Sequence, residues 1–251
     1  MSEEITIGVL LFACAAIQSM VGFAFTLFAL PLLLLLTDLS APQAVMLSLL
    51  GSLAQRLLMI RALRHACDWK KLLPVILTGL LGLPLGVMLL KRFSSLDPAV
   101  VRQWIGVLIL VVVIVSRVVR IAPRERLAVG WGLLAGFASG LLNGMANIGG
   151  PPLIMWAHAH DWSNKSLRAA APAVTLGMAP LQLFILFGAF GAEILPPLST
   201  VAVALPAAVL GCFAGLGMGH RIPVGGLRTV ATALLILLCA WAMLRPLISG
   251  M

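Results

Sequence analysis

Eight runs of apolar residues, separated by short basic gaps, occupy nearly all of the 251-residue chain. They fall at roughly 5 to 36, 42 to 60, 72 to 90, 99 to 117, 127 to 157, 169 to 188, 197 to 218 and 229 to 246. A helix needs about 20 apolar residues to cross a hydrocarbon core of about 30 Å, so these runs predict an all-α polytopic membrane protein. Composition agrees, with 61% apolar and 10% charged residues, against about 45–50% and about 25% in soluble domains. No stretch is left over for a soluble catalytic domain. The net charge of +9 would fit a nucleic-acid partner only if Lys and Arg gathered on one folded face. They lie instead in the gaps between runs, so the expected partner is the lipid bilayer and not nucleic acid. Cys14, Cys67, Cys212 and Cys239 show no paired spacing, so neither a disulfide framework nor a zinc site is expected, and no cofactor. Met1-Ser2-Glu3-Glu4 lacks the basic start of a cleaved signal peptide, so the first run is expected to stay in the mature protein.

Two runs, 5 to 36 and 127 to 157, are too long for one straight span. Each is interrupted: by Gln18-Ser19-Met20-Val21-Gly22 and Pro31 in the first, and by Asn143-Gly144-Met145-Ala146-Asn147-Ile148-Gly149-Gly150-Pro151-Pro152 in the second. Glycine costs about 1 kcal/mol and proline about 3 kcal/mol in a helix interior, so the chain should unwind there. Unwound backbone at membrane depth persists only when packed in protein or lining a wet cavity.

The broken runs open matching halves, 1 to 122 and 123 to 251. Gly22-Phe23-Ala24 with Pro31 matches Gly144-Met145-Ala146 with Pro152, and Gly82, Gly86, Lys91 and Arg92 match Gly211, Gly215, His220 and Arg221 at one offset. If every run crosses once, Lys and Arg divide nine against seven between the two sides, with Arg56 omitted. If each long run is a hairpin, the split is twelve against four, the bias expected of cytoplasmic loops. The count fixes the second hairpin, and the repeat carries the inference to the first, whose following loop, Thr37 to Gln43, has no Lys or Arg. Each half then becomes a broken-helix hairpin plus three spans. An odd number of crossings gives two inverted-topology repeats forming one membrane domain, with both termini outside. Trp69, Trp104, Trp131 and Trp162 lie where interfacial anchors belong.

A helix broken at mid-membrane exposes N–H groups whose dipole acts like about half a positive charge, an environment suited to a small anion. Gly22, Gly149 and Gly150 would bare the backbone there, while Gln18, Ser19, Thr26, Asn143 and Asn147 carry side-chain donors. The expected site lies where two broken helices meet near the midplane. Each residue also has a packing role to weigh: small polar residues join spans, and glycines permit close helix approach. Arg56 is a further candidate to cap the anion, although one turn before Arg61 it can also snorkel to the cytoplasmic surface. Gln55 and Gln182 are weaker candidates.

His158-Ala159-His160-Asp161 is the nearest thing to a metal cluster, but two His one residue apart face different ways, so a wet loop is expected. All eight carboxylates, Glu3, Glu4, Asp38, Asp68, Asp97, Glu125, Asp161 and Glu193, fall at run ends or in loops, so no intramembrane proton relay is visible. An intramembrane enzyme would need a nucleophile and base together. Ser139 sits in GFASG, one residue off the Gly-x-Ser-Gly spacing, and no His lies inside a run. An anion channel and a non-transporting assembly partner are the remaining alternatives, separated from a carrier by flux that does not saturate and by no flux at all.

The segments QSMVGFAFTLFALP (Gln18 to Pro31) and GFASGLLNGMANIGGPP (Gly136 to Pro152) resemble the paired signatures of the sulfite exporter TauE/SafE family. The resemblance covers essentially the whole chain. It implies secondary transport of a small anion, such as sulfite or an organosulfonate like sulfoacetate, across the cytoplasmic membrane. Gln18, Gly22, Phe23 and Pro31 carry over in the first half, and Gly140, Gly144, Gly149, Gly150 and Pro152 in the second. Asn147-Ile148-Gly149-Gly150 departs from the Gly-x-Gly-Gly common in similar proteins. A homodimer is compatible with this reading and not specified by it.

Overall fold

The computed structural model describes residues 3–21, 25–118, 128–218, 233 and 235–237. Every element among them is helical: α1 (Glu3–Val21), α2 (Phe25–Leu36), α3 (Ala41–Leu63), α4 (Trp69–Ser94), α5 (Pro98–Val118), α6 (Val129–Ala146), α7 (Gly150–His158), α8 (Asn164–Phe190) and α9 (Leu198–Met218). Seven of these, all but α2 and α7, are long and apolar enough to cross a membrane. The chain is therefore a multi-pass membrane protein. Bulky apolar side chains such as Leu81, Phe184 and Leu198 stand exposed on it, as lipid contact allows. The eighth apolar run, 229 to 246, lies outside the described residues apart from Ala233 and Leu235 to Leu237.

Both long runs yield a long helix followed by a short one. With about 1.5 Å of rise per residue, the 12 residues of α2 span about 18 Å and the 9 of α7 about 14 Å, short of the bilayer core.

The helices gather into two compact units, Met1–Gln55 with Arg92–Val113 and Ala192–Met251, and Arg56–Lys91 with Ile114–Gly191. Each unit draws on both halves of the sequence, and α3 supplies residues to each.

In the second unit α4 and α6 cross through glycines with their backbones in contact. A Cβ on Gly140 would strike the Gly79 carbonyl, one on Gly82 the Phe137 carbonyl, and one on Gly86 the Leu141 carbonyl. Such small-residue crossings suit lipid, where no hydrophobic force holds helices together and close van der Waals packing must do so. From its break α7 folds back along α6, bringing the Trp156 indole nitrogen within 3.1 Å of where a Cβ on Gly132 would sit.

In the first unit α1 packs on α9 in the same manner, with Gly211 against the Phe12 carbonyl and Gly215 against the Ala16 carbonyl. α2 returns along α1 until the Asp38 N–H donates to the Glu3 carboxylate at 3.0 Å. The next helix, α3, opens with a reciprocal cap: the Ser40 N–H donates to Gln43 Oε1 and the Gln43 N–H to Ser40 Oγ.

The two units thus repeat one contact pattern, Phe12 and Ala16 standing where Phe137 and Leu141 stand. This places Gln18, two residues past Ala16, in the position of Asn143, two residues past Leu141. This register differs from the sequence match of Gly22 with Gly144, because packing pairs the carbonyls that face the partner's glycines and not glycine with glycine. Gly22 lies outside the described residues.

Candidate functional site

The break between α6 and α7 is built by the sequence itself. Asn147 takes a left-handed conformation, φ 55° and ψ 31°, which asparagine tolerates better than most residues. Its N–H still donates to the Asn143 carbonyl at 2.8 Å, and the Ile148 N–H reaches back to Leu142 at 3.2 Å. Asn143 and Asn147 therefore do not continue one helical face. Asn143 stays in α6, and its Oδ1 accepts the Gly149 N–H at 3.0 Å, while Ser139 Oγ donates to the Gly149 carbonyl at 2.8 Å. The unwound turn is clamped at both backbone groups of Gly149. A Cβ there would strike the Asn143 amide, so the glycine is needed for contact with protein.

Arg56 corrects the snorkelling alternative. It is only 8% exposed, and its Nη2 donates to Asn147 Oδ1 at 3.0 Å. A guanidinium that snorkelled to the surface would be wet. This one is turned onto the helix break, and no described carboxylate pairs with it. From the other side, Gln182 of α8 donates its Nε2 to the Asn143 carbonyl at 2.7 Å. Three atoms of this buried cluster have no hydrogen-bond partner among the described residues: Arg56 Nη1, Asn143 Nδ2 and Gln182 Oε1.

The start of α7 offers fewer N–H groups than a broken helix ordinarily does. Pro151 and Pro152 have none, and that of Gly149 is taken by Asn143. Gly150 differs from its neighbour, since a Cβ there would meet nothing within 4 Å. It borders open space at the first residue of α7.

In the first unit the Gln18 side-chain oxygen accepts the Phe25 N–H at 2.5 Å, the counterpart of the Asn143–Gly149 bond. Thr26 is buried one residue further on. The Ser19 Cβ lies 2.8 Å from where a Cβ on Gly215 would sit, so Ser19 packs against α9. Gly22 and Phe23 lie outside the described residues. Pro31 is buried inside α2. Gly140 and Gly144 face α4, Gly144 against the Leu83 carbonyl, so these two signature glycines serve the helix crossing. His158 and His160 each turn Nδ1 onto a carbonyl one turn back, at Ile154 and Trp156, and the His160 ring stacks on Trp162 at 4.5 Å.

Ser139 is the participant that the sequence does not reveal, since a spacing of ten residues before Gly149 carries no visible signal. Gln182, a weaker candidate by sequence, does belong to the cluster, and a lone amide inside an apolar run is itself a signal, because lipid offers it no partner.

No curated protein and no solved structure matches the chain. The family of the sulfite exporter TauE/SafE matches residues 7–242. That span takes in both broken segments and the Arg56 cluster, and the chain belongs to this family of membrane transporters.

Proposed function

We propose that the chain is a secondary carrier that moves a small sulfur oxyanion or organosulfonate across the cytoplasmic membrane by alternating access. The anion sits at Arg56, Asn143 and Asn147, with the bare backbone of Gly150 beside them. The observation that carries this reading is the buried Arg56 guanidinium with one nitrogen unpartnered and no carboxylate paired with it among the described residues. A lone charge held away from water costs several kcal/mol, and intramembrane cations are retained where they serve a ligand or ion path. The anion thus binds chiefly to side chains, and the α7 terminus contributes the little that its prolines leave.

Counterflow in liposomes with sulfite, sulfoacetate, thiosulfate, sulfate and small carboxylates tests this directly. Saturable flux of at least one sulfur oxyanion or organosulfonate is expected. Asn147→Leu should slow it about tenfold or more, because Arg56 then loses the acceptor that aims it. Unchanged flux in that variant removes Asn147 from the site, and absence of flux for every anion rejects the carrier.

The finer architecture in this proposal is a pair of inverted repeats, each a re-entrant hairpin plus three spans, with both termini outside. Its support is the bond from Asp38 back to Glu3, the return of Trp156 to Gly132, and the shared crossing pattern of the two units. A reporter fused after Ser163 should read as cytoplasmic. A periplasmic signal there would mean that the second long run crosses outright.

A further inference from the structure

We infer that the anion taken at this site is singly charged and carries one hydroxyl, so that its proton travels with it. The inference rests on the carrier reading above and concerns the form of the substrate. Both amides in the cluster are fixed in orientation by their partners. The Asn143 oxygen must face the Gly149 N–H, which leaves its Nδ2 as the unpartnered atom. The Gln182 nitrogen must face the Asn143 carbonyl, which leaves its Oε1 unpartnered. The orphaned set is therefore two donors, Arg56 Nη1 and Asn143 Nδ2, and one acceptor, Gln182 Oε1. Gln182 and Asn143 are fully buried, at 0% exposure.

A fully deprotonated oxyanion has acceptors only. It would satisfy the two donors and set its lone pairs against those of Gln182 Oε1. An anion with one O–H satisfies all three, giving that hydrogen to Gln182 and taking hydrogen bonds from Arg56 and Asn143. Charge points the same way. Among the described residues Arg56 is the one ionisable side chain in the cluster, so a single negative charge neutralises it, and a second would be buried unpaired. A hydrogen-bearing anion such as hydrogen sulfite meets both conditions, whereas methanesulfonate has the charge and three oxygens but a methyl group in place of the hydroxyl. Carrying the proton on the substrate also suits a chain whose eight carboxylates stand only at the ends of the apolar runs or in loops.

The test is counterflow of labelled sulfite into liposomes holding the full chain. At a pH where sulfite is chiefly singly protonated, methanesulfonate should compete at least about tenfold more weakly than unlabelled sulfite, because a site built for a hydroxyl rejects its analogue without one. KM for total sulfite should rise as pH carries it to the dianion, with little change in kcat. In Gln182→Met, where the acceptor is gone, methanesulfonate and hydrogen sulfite should compete equally. Equal competition in the wild-type protein, or a KM that falls as pH rises, overturns the inference while leaving the carrier intact. Should Gln182→Met not fold, the wild-type comparison decides alone. If sulfite is not carried this inference fails, and the proposed function fails with it only when no other anion of the counterflow panel is carried either.

Discussion

Arg56→Met loses anion flux by about a hundredfold or more while the protein stays folded and its thermal stability does not fall. The two halves of this result have one cause. A hydrogen bond from a charged donor is worth about 1.5–3 kcal/mol, so losing the one from Nη1 costs about tenfold to a hundredfold in affinity, and leaving the buried anion without its counter-charge carries the loss further. Removing one partner of a buried ion pair strands the other charge and destabilises the fold. Here no carboxylate is stranded, because none of those described pairs with Arg56, and the variant discards an unpaired buried charge. Asn147 Oδ1 loses its bond from Arg56, while the Asn147 backbone N–H keeps its bond to the Asn143 carbonyl. Arg56→Lys should fall between, since an ammonium keeps the charge without the fork that serves Asn147 and an anion together. Counterflow rates beside melting curves in detergent check both halves. A variant that transports normally removes Arg56 from the site, and one that unfolds makes it structural.

Gly140→Leu abolishes folded protein altogether. The added side chain would begin inside the Gly79 carbonyl, and the neighbouring crossing points at Gly82 and Gly86 are equally closed by backbone. A flexible side chain can turn aside, but a helix backbone can move only as a whole, which would part α4 from α6 along their length. Overpacking ordinarily costs about 1–3 kcal/mol, and this site has no soft neighbour, so the cost should lie at the top of that range or above it. Gly188→Ala provides the control. It lies in α8 with nothing within 4 Å of an added Cβ, and should be neutral or slightly stabilising by helix propensity. Size-exclusion profiles and melting temperatures of the two variants decide the matter, and a folded Gly140→Leu with an unchanged melting temperature would mean that α4 and α6 do not touch there.

Much of the helical framework was legible in the sequence, because run length is a direct consequence of bilayer thickness. The break after Ala146 was legible too: glycines, prolines and two asparagines within ten residues leave a helix no way to continue. The division of labour between those asparagines was not. A spacing of four puts both on one face only while the helix lasts, and the left-handed turn at Asn147 rotates it away to meet Arg56. The side that Arg56 faces had a signal that went unused. It follows Ser48 and Ser52 at intervals of four, a polar stripe on one face of α3, and both serines are buried. Arg61 lies five residues on, toward another side of the helix, so its closeness in sequence says little about Arg56. The second packing partner of each hairpin was beyond the sequence, since α6 meets α4 and α1 meets α9 across the boundary between the halves.

A structure of the protein with bound selenite, located by the anomalous scattering of selenium, tests the anion site most directly. Selenium should appear beside Arg56, with selenite oxygens within hydrogen-bonding distance of Arg56 Nη1 and Asn143 Nδ2. Selenium bound elsewhere, with Arg56 still held by Asn147 and touching no anion, would contradict the assignment.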